Sequence, residues 1–211
     1  MVKNYGMQAE SEFVKEGLRQ LQQEAFASDT VQGHDEVVVV LSIRGSTLHR
    51  YQTIPQPVPG GPSAHVPFSD AALDSWADEL KKRSYIPGAG TWTMIKVHLY
   101  RNEEGRVEIF EDDDSTGNIE SEPGLSMEDC LLELAAFPRT ADRIPAWMWK
   151  MFNEADAQPP VYNPELQCVE WKNKRRTVTD RGPDLSAPTT VIQASPQPGV
   201  FTKISKKLFG T

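Results

Sequence analysis

Residues 37 to 43, VVVVLSI, constrain the fold more than any other stretch of this chain. Four consecutive β-branched residues followed by Leu41 and Ile43 favour extended backbone, and Gly33 and Gly45 bracket the run. The pattern predicts a central strand from Val37 to Ile43 and, after Arg44-Gly45-Ser46, a weaker partner from Thr47 to Ile54, a first hairpin. The longest uninterrupted apolar run, Val37 to Leu41, is far too short to cross a bilayer as a helix, so a membrane-spanning helix is excluded.

A second hairpin is written in the alternation of Trp92 to Arg101. Ile95, Val97 and Leu99 fall on one face, and Met94, Lys96, His98 and Tyr100 on the other. Asn102-Glu103-Glu104-Gly105 reads as the turn, and Arg106 to Asp112 as the returning strand. That strand sets Val107 and Ile109 opposite Leu99 and Val97 if Gly105 takes a left-handed conformation.

Helical periodicity fills much of the remainder. Val14, Leu18, Leu21 and Ala25 form one stripe of a helix from about Ala9 to Ala27. A second helix has Ser69 as its cap and Leu73, Trp76, Ala77 and Leu80 as its buried stripe, with Lys81, Lys82 and Arg83 near its negative end. Ser126-Met127-Glu128-Asp129 opens a third with a capping-box pattern, and Cys130, Leu131 and Leu134 face inward until Pro138. A fourth starts near Pro145 and carries Trp147, Met148, Met151 and Phe152. Both later helices are expected to pack on the sheet. Five of the sixteen prolines crowd residues 55 to 67 and mark a surface loop. The fold class is therefore α+β: an antiparallel sheet built from two hairpins, with helices packed on it and a C-terminal extension.

Charge divides the chain in a different way. Residues 1 to 158 hold 14 Lys and Arg against 26 Asp and Glu, a balance of −12, whereas residues 159 to 211 hold 8 against 4, or +4. Seven prolines in the second stretch, and the basic run Lys172 to Arg176, add to the contrast. The sequence thus predicts an α+β body over 1 to 158 that folds without the extension 159 to 211, in which Val169 and Trp171 supply at most an edge strand. An acidic body repels phosphate backbones and attracts cationic protein surfaces, which argues against a nucleic-acid partner and for a basic protein partner. No apolar export segment precedes the first helix, two cysteines form no CxxC, and the expected location is cytoplasmic with no cofactor and no metal.

The densest chemistry lies between residues 103 and 133, with twelve acids and one base, Arg106. Asp112, Asp114 and Thr116 match the D-x-D-x-T spacing of a Mg²⁺-dependent phosphatase, in which one carboxylate attacks phosphorus and the second moves the proton. Glu111 interrupts the apolar strand end that such a site needs, no later acid pair is present, and no repeated βα units surround it. The same segment resembles a calcium loop until its twelfth position, which is Pro123 where a bidentate Glu belongs. A third reading is a docking surface in which Glu111, Asp112, Asp113 and Asp114, with Glu120 and Glu122, meet an Arg/Lys-rich partner. The plain alternative is a solvated acidic loop. No G-x-S-x-G, P-loop or H-E-x-x-H motif is present, and Cys130 reads as a buried thiol. No catalytic residue is therefore assigned, and the expectation is a non-enzyme. Trp92 and Trp147 read as core, while Trp149, turned well away from Trp147, is the tryptophan expected at a partner surface.

Two stretches taken in order, WADELKKRSYIPGAGTWTMIKVHLYRNEEGRVEIFEDDD and then CLLELAAFPRTADRIPAWM, resemble the YezG-like immunity proteins of bacterial polymorphic toxin systems over about residues 70 to 151. Gly90-Thr91-Trp92, Gly105, the acidic strand end Phe110 to Asp114, Phe137-Pro138-Arg139 and Ile144-Pro145-Ala146-Trp147-Met148 carry the likeness. The resemblance implies a small cytoplasmic α+β protein that binds and neutralises a cognate toxin domain, often a nuclease. The Pro-rich loop and the basic extension depart from the pattern.

Overall fold

The computed structural model describes residues 11–27, 29–31, 33–44, 47–53, 70–110 and 126–177. They belong to two compact units, each with its own core. The fold is α+β, as the alternation and periodicity predict.

The first unit is a four-stranded sheet with two helices. Helix α1 (Glu12–Ala27) starts where Ser11 accepts the Val14 N–H on its side chain and the Lys15 N–H on its carbonyl. Strands β1 (Glu36–Arg44) and β2 (Thr47–Thr53), helix α2 (Asp70–Arg83), and strands β3 (Met94–Tyr100) and β4 (Arg106–Phe110) follow. The strand order is β2-β1-β3-β4, so the Val-rich run is central, as expected. Val37, Val39 and Leu41 of β1 and Ile95, Val97 and Leu99 of β3 are fully buried with the predicted stripes of α1 and α2.

Gly17 fixes how the two helices meet. A Cβ at this position would fall inside the Trp76 indole, so the two backbones approach as closely as they do only because α1 has no side chain there. Gly17→Ala raises intrinsic helix propensity by up to about 1 kcal/mol, but the overpacking of Trp76 costs about 1–3 kcal/mol. The expected result is a lowered thermal midpoint, opposite in sign to the propensity effect.

Two sequence expectations change in this unit. The β3–β4 register pairs Val97 with Val107 and Ile95 with Ile109, two residues away from the predicted alignment. The connection is longer than a four-residue turn, running from Arg101 to Gly105, and Gly105 is not among the residues with positive φ. A slip of two preserves the side-chain parity, so the apolar face stays on the core. Lys81, placed by the sequence near the negative end of α2, is wholly buried. Its ammonium donates to the Ile43 carbonyl at 2.9 Å and to the Trp92 carbonyl, and lies 5.0 Å from the centroid of the Trp92 ring. Lys82 and Arg83 instead pair at the surface with Asp78 and Glu79.

The second unit centres on helix α3 (Met127–Ala136) and helix α4 (Ala146–Glu154), followed by the short strands β5 (Val161–Asn163), β6 (Cys168–Trp171) and β7 (Lys174–Thr177). The capping box is present in full: Asp129 N–H donates to Ser126 Oγ, and Ser126 N–H donates to Asp129 Oδ2 at 3.0 Å. The two helices do not join the core of the four-stranded sheet. Cys130, Leu131 and Leu134 of α3 pack with Met148 and Phe152 of α4 and with Trp171 of β6 in a separate core. Trp147, expected in the core, is only partly buried at its margin.

Residues 161 to 177, which composition groups with the extension, form an antiparallel three-stranded meander in the order β5-β6-β7. Trp171 donates its indole N–H to the Gln158 carbonyl at 2.8 Å, and Arg176 reaches the Ala135 carbonyl near the end of α3. Burial pushes the Arg176 guanidinium down from its ordinary range. The compositional break at Gln158-Pro159 thus falls inside a unit. Buried Arg139 stitches the same unit, donating to the carbonyls of Thr91 and Arg143 while its own carbonyl accepts the Tyr162 N–H at 2.8 Å.

Candidate partner-binding surface

Backbone geometry makes β4 an edge. Ile43 N–H donates to the Thr93 carbonyl at 3.1 Å in the register that pairs β1 with β3, so alternate residues Ile95, Val97 and Leu99 direct their amides to β1. Met94, Lys96 and His98 therefore direct theirs to Phe110, Glu108 and Arg106. Val107 and Ile109 present N–H and C=O groups on the far side of β4, where no strand pairs with them among the described residues.

One end of this edge is clipped. Gln22 of α1 donates from Nε2 to the Tyr100 carbonyl at 2.6 Å and the Glu103 carbonyl at 2.8 Å, and its Oε1 accepts the Gly105 N–H at 3.2 Å. A Cβ on Gly105 would stand 3.0 Å from the His98 carbonyl and 3.2 Å from Gln22 Oε1. Close approach, not a left-handed turn, is what glycine provides here.

The face of the sheet opposite the helices carries a row of polar side chains across three strands. His98 Nδ1 and Glu36 Oε1 lie within hydrogen-bond distance, 2.9 Å apart. Nε2 stands 3.4 Å from Glu108 Oε1 but makes no hydrogen bond. Arg106 pairs with Glu108 at 2.9 Å and donates from Nε to the Tyr100 hydroxyl at 3.0 Å, and that hydroxyl contact is the main cause raising the Arg106 pKa. Half-buried Val38, Val40, Met94 and Phe110 lie on the same face. The row holds β1, β3 and β4 together and gives the edge mixed charge.

Of the residues assigned to partner binding, Glu111, Asp112, Asp113, Asp114, Glu120 and Glu122 lie outside the described residues, as does the Asp112–Thr116 segment of the phosphatase and calcium readings. The acid run begins in sequence immediately after β4 ends at Phe110. Trp149, expected to be exposed, is partly buried against the second core and donates its indole N–H to the Ala141 carbonyl at 3.3 Å. It belongs to a different compact unit from β4. Glu36, Glu108 and Gln22 escaped the sequence reading, because their meeting depends on strand order and on a helix more than 70 residues away.

Cys130 is fully buried, with Sγ 3.5 Å from Met151 Sδ, the environment of a small apolar side chain. Among the described residues no group of three His, Cys, Asp or Glu side chains is arranged to hold a metal ion, and no helix is long and apolar enough to cross a membrane. The chain matches no family model and no curated protein.

Proposed function

We propose that this chain is an immunity protein: a non-enzymatic, cytoplasmic inhibitor that binds a basic bacterial toxin domain and blocks it by occlusion. The observation that carries this reading is the position of β4, an edge strand that leads directly into four consecutive acids, Glu111 to Asp114, on a body of net charge −12. Acidic side chains following a strand that ends the sheet among the described residues complement the cationic groups a nuclease uses to hold its own substrate. Long-range attraction between the two raises the association rate. The resemblance to YezG-like immunity proteins over residues 70 to 151 points the same way. No cofactor, metal or nucleic acid enters the mechanism.

The test is rescue. The C-terminal domain of the polypeptide encoded immediately upstream of this gene should arrest growth when expressed alone, and co-expression of this chain should restore growth and yield a co-purifying complex. Arrest that continues despite abundant folded chain would refute inhibition of that partner.

A further inference from the structure

We infer that His98 is a proton-operated latch: with a proton on both ring nitrogens it donates to Glu36 on β1 and Glu108 on β4 at once, tying three strands together, and on losing one proton it releases one of them. The geometry behind this is a nearly buried imidazole with a carboxylate oxygen at each nitrogen, Glu36 Oε1 at 2.9 Å from Nδ1 and Glu108 Oε1 at 3.4 Å from Nε2. A neutral imidazole has one N–H and one bare lone pair. In either tautomer, therefore, one nitrogen turns a lone pair toward a carboxylate oxygen, an acceptor facing an acceptor. Nε2 is buried and makes no hydrogen bond, the kind of unpaired polar atom that costs free energy in a folded chain. Only the imidazolium donates from both nitrogens, and a shift of about 0.5 Å brings Glu108 into the usual range for such a bond.

The charged groups around the ring are consistent with a proton as the missing partner. Among the described residues the imidazole is the only group in ion-pair range of Glu36. On β4, Arg106 pairs with Glu108 at 2.9 Å and is steadied by the Tyr100 hydroxyl at 3.0 Å, so Glu108 gains a second donor when the ring is protonated and loses none. On β3 itself, the Tyr100 ring lies nearly parallel to the imidazole with 6.3 Å between centroids, and Lys96 holds its ammonium 5.7 Å from the centroid of the Phe110 ring. Helices α1 and α2 pack on the opposite face of the sheet and place no charge against the ring. Both carboxylates keep about a third of their surface in water, so the latch has the several-fold strength of half-exposed ion pairs. It closes as pH falls through the range in which imidazoles titrate, about 8 to 5, and opens as pH rises through it.

The experiment follows the full chain by nuclear magnetic resonance from about pH 8 to about pH 5.5. It reads the ring nitrogen shifts of His98, the side-chain carboxyl carbon shifts of Glu36 and Glu108, and the exchange of the Lys96 and His98 amides, which pair with β4. Both ring nitrogens should become protonated, both carboxyl signals should move in step with the ring, and protection at the two amides, corrected for intrinsic exchange, should rise by about threefold or more. His98→Gln cannot titrate and should lose the change in protection. Glu108→Gln should keep the response at Glu36 and lose the gain in β4 pairing. If His98→Gln does not fold, Glu108→Gln, altered at a half-exposed side chain, decides together with the unsubstituted spectra. Protection that ignores pH, an equal change in His98→Gln, or a ring that titrates without moving both carboxyl signals overturns the latch. Growth rescue is a separate measurement, so failure here leaves the inhibitor reading standing.

Discussion

A chain ending at Gln158 should lose the cooperative unfolding of its second unit, although composition marks that point as the end of the folded body. The truncation removes Trp171, which is 3% exposed and packs with Cys130, Leu131, Leu134, Met148 and Phe152. It also removes the donor to the Gln158 carbonyl and the Arg176 contact to Ala135. Replacing the indole alone, Trp171→Ala, should cost about 3–5 kcal/mol, the range for deleting a buried aromatic side chain. Helices of ten and nine residues do not hold together in water without such packing. Near-ultraviolet circular dichroism during a thermal scan checks this. A single sharp transition at the full-length midpoint in the truncated chain would place the boundary at 158 after all.

Gly90→Ala should combine backbone strain with a steric clash and be strongly destabilising. Gly90 closes a tight loop with Ile86, each N–H donating to the other's carbonyl at 2.9 Å, and its φ is +81°. An L side chain in that conformation costs about 1–2 kcal/mol. The added Cβ would also collide with the guanidinium stem of Arg139, the residue that ties this loop to Arg143 and Tyr162. Displacing a packed side chain adds about 1–3 kcal/mol. The combined loss, about 3 kcal/mol, should appear in chemical denaturation as a lowered midpoint with an unchanged slope. The same substitution at Gly33, where φ is +84° and a Cβ would meet nothing, isolates the conformational part and should cost about 1–2 kcal/mol. Equal losses at both positions would remove Arg139 from the explanation.

Local signals were legible in the sequence, and those that depend on distant chain segments were not. Helix α3 reads directly because Ser126 and Asp129 close their capping box within one turn. The Val-rich strand reads as central because it is apolar on both faces. The β3–β4 register was missed by two residues because Gln22, on a helix far away in sequence, fixes the turn. The β5–β7 meander was missed because strands of three and four residues carry too little alternation, and KNKRR resembles a solvated charge run. Lys81 and Arg139 look like surface cations in any composition count, yet both are buried donors to backbone carbonyls. For the candidate site, the acid run is evident from charge alone. The position of β4 at the end of the strand order and the Glu36–His98–Glu108 row emerge only once the strand order is known.

The association rate between the chain and the toxin domain proposed as its partner, followed by stopped flow as ionic strength rises, tests the central claim most directly. Reversing charge at Glu111, Asp112, Asp113 and Asp114 should slow association by about tenfold or more at low salt, where electrostatic steering contributes about 10–10³-fold. The difference should shrink as salt shortens the Debye length to about 8 Å and below. An association rate indifferent both to the four reversals and to ionic strength would contradict docking through the acidic segment that follows β4.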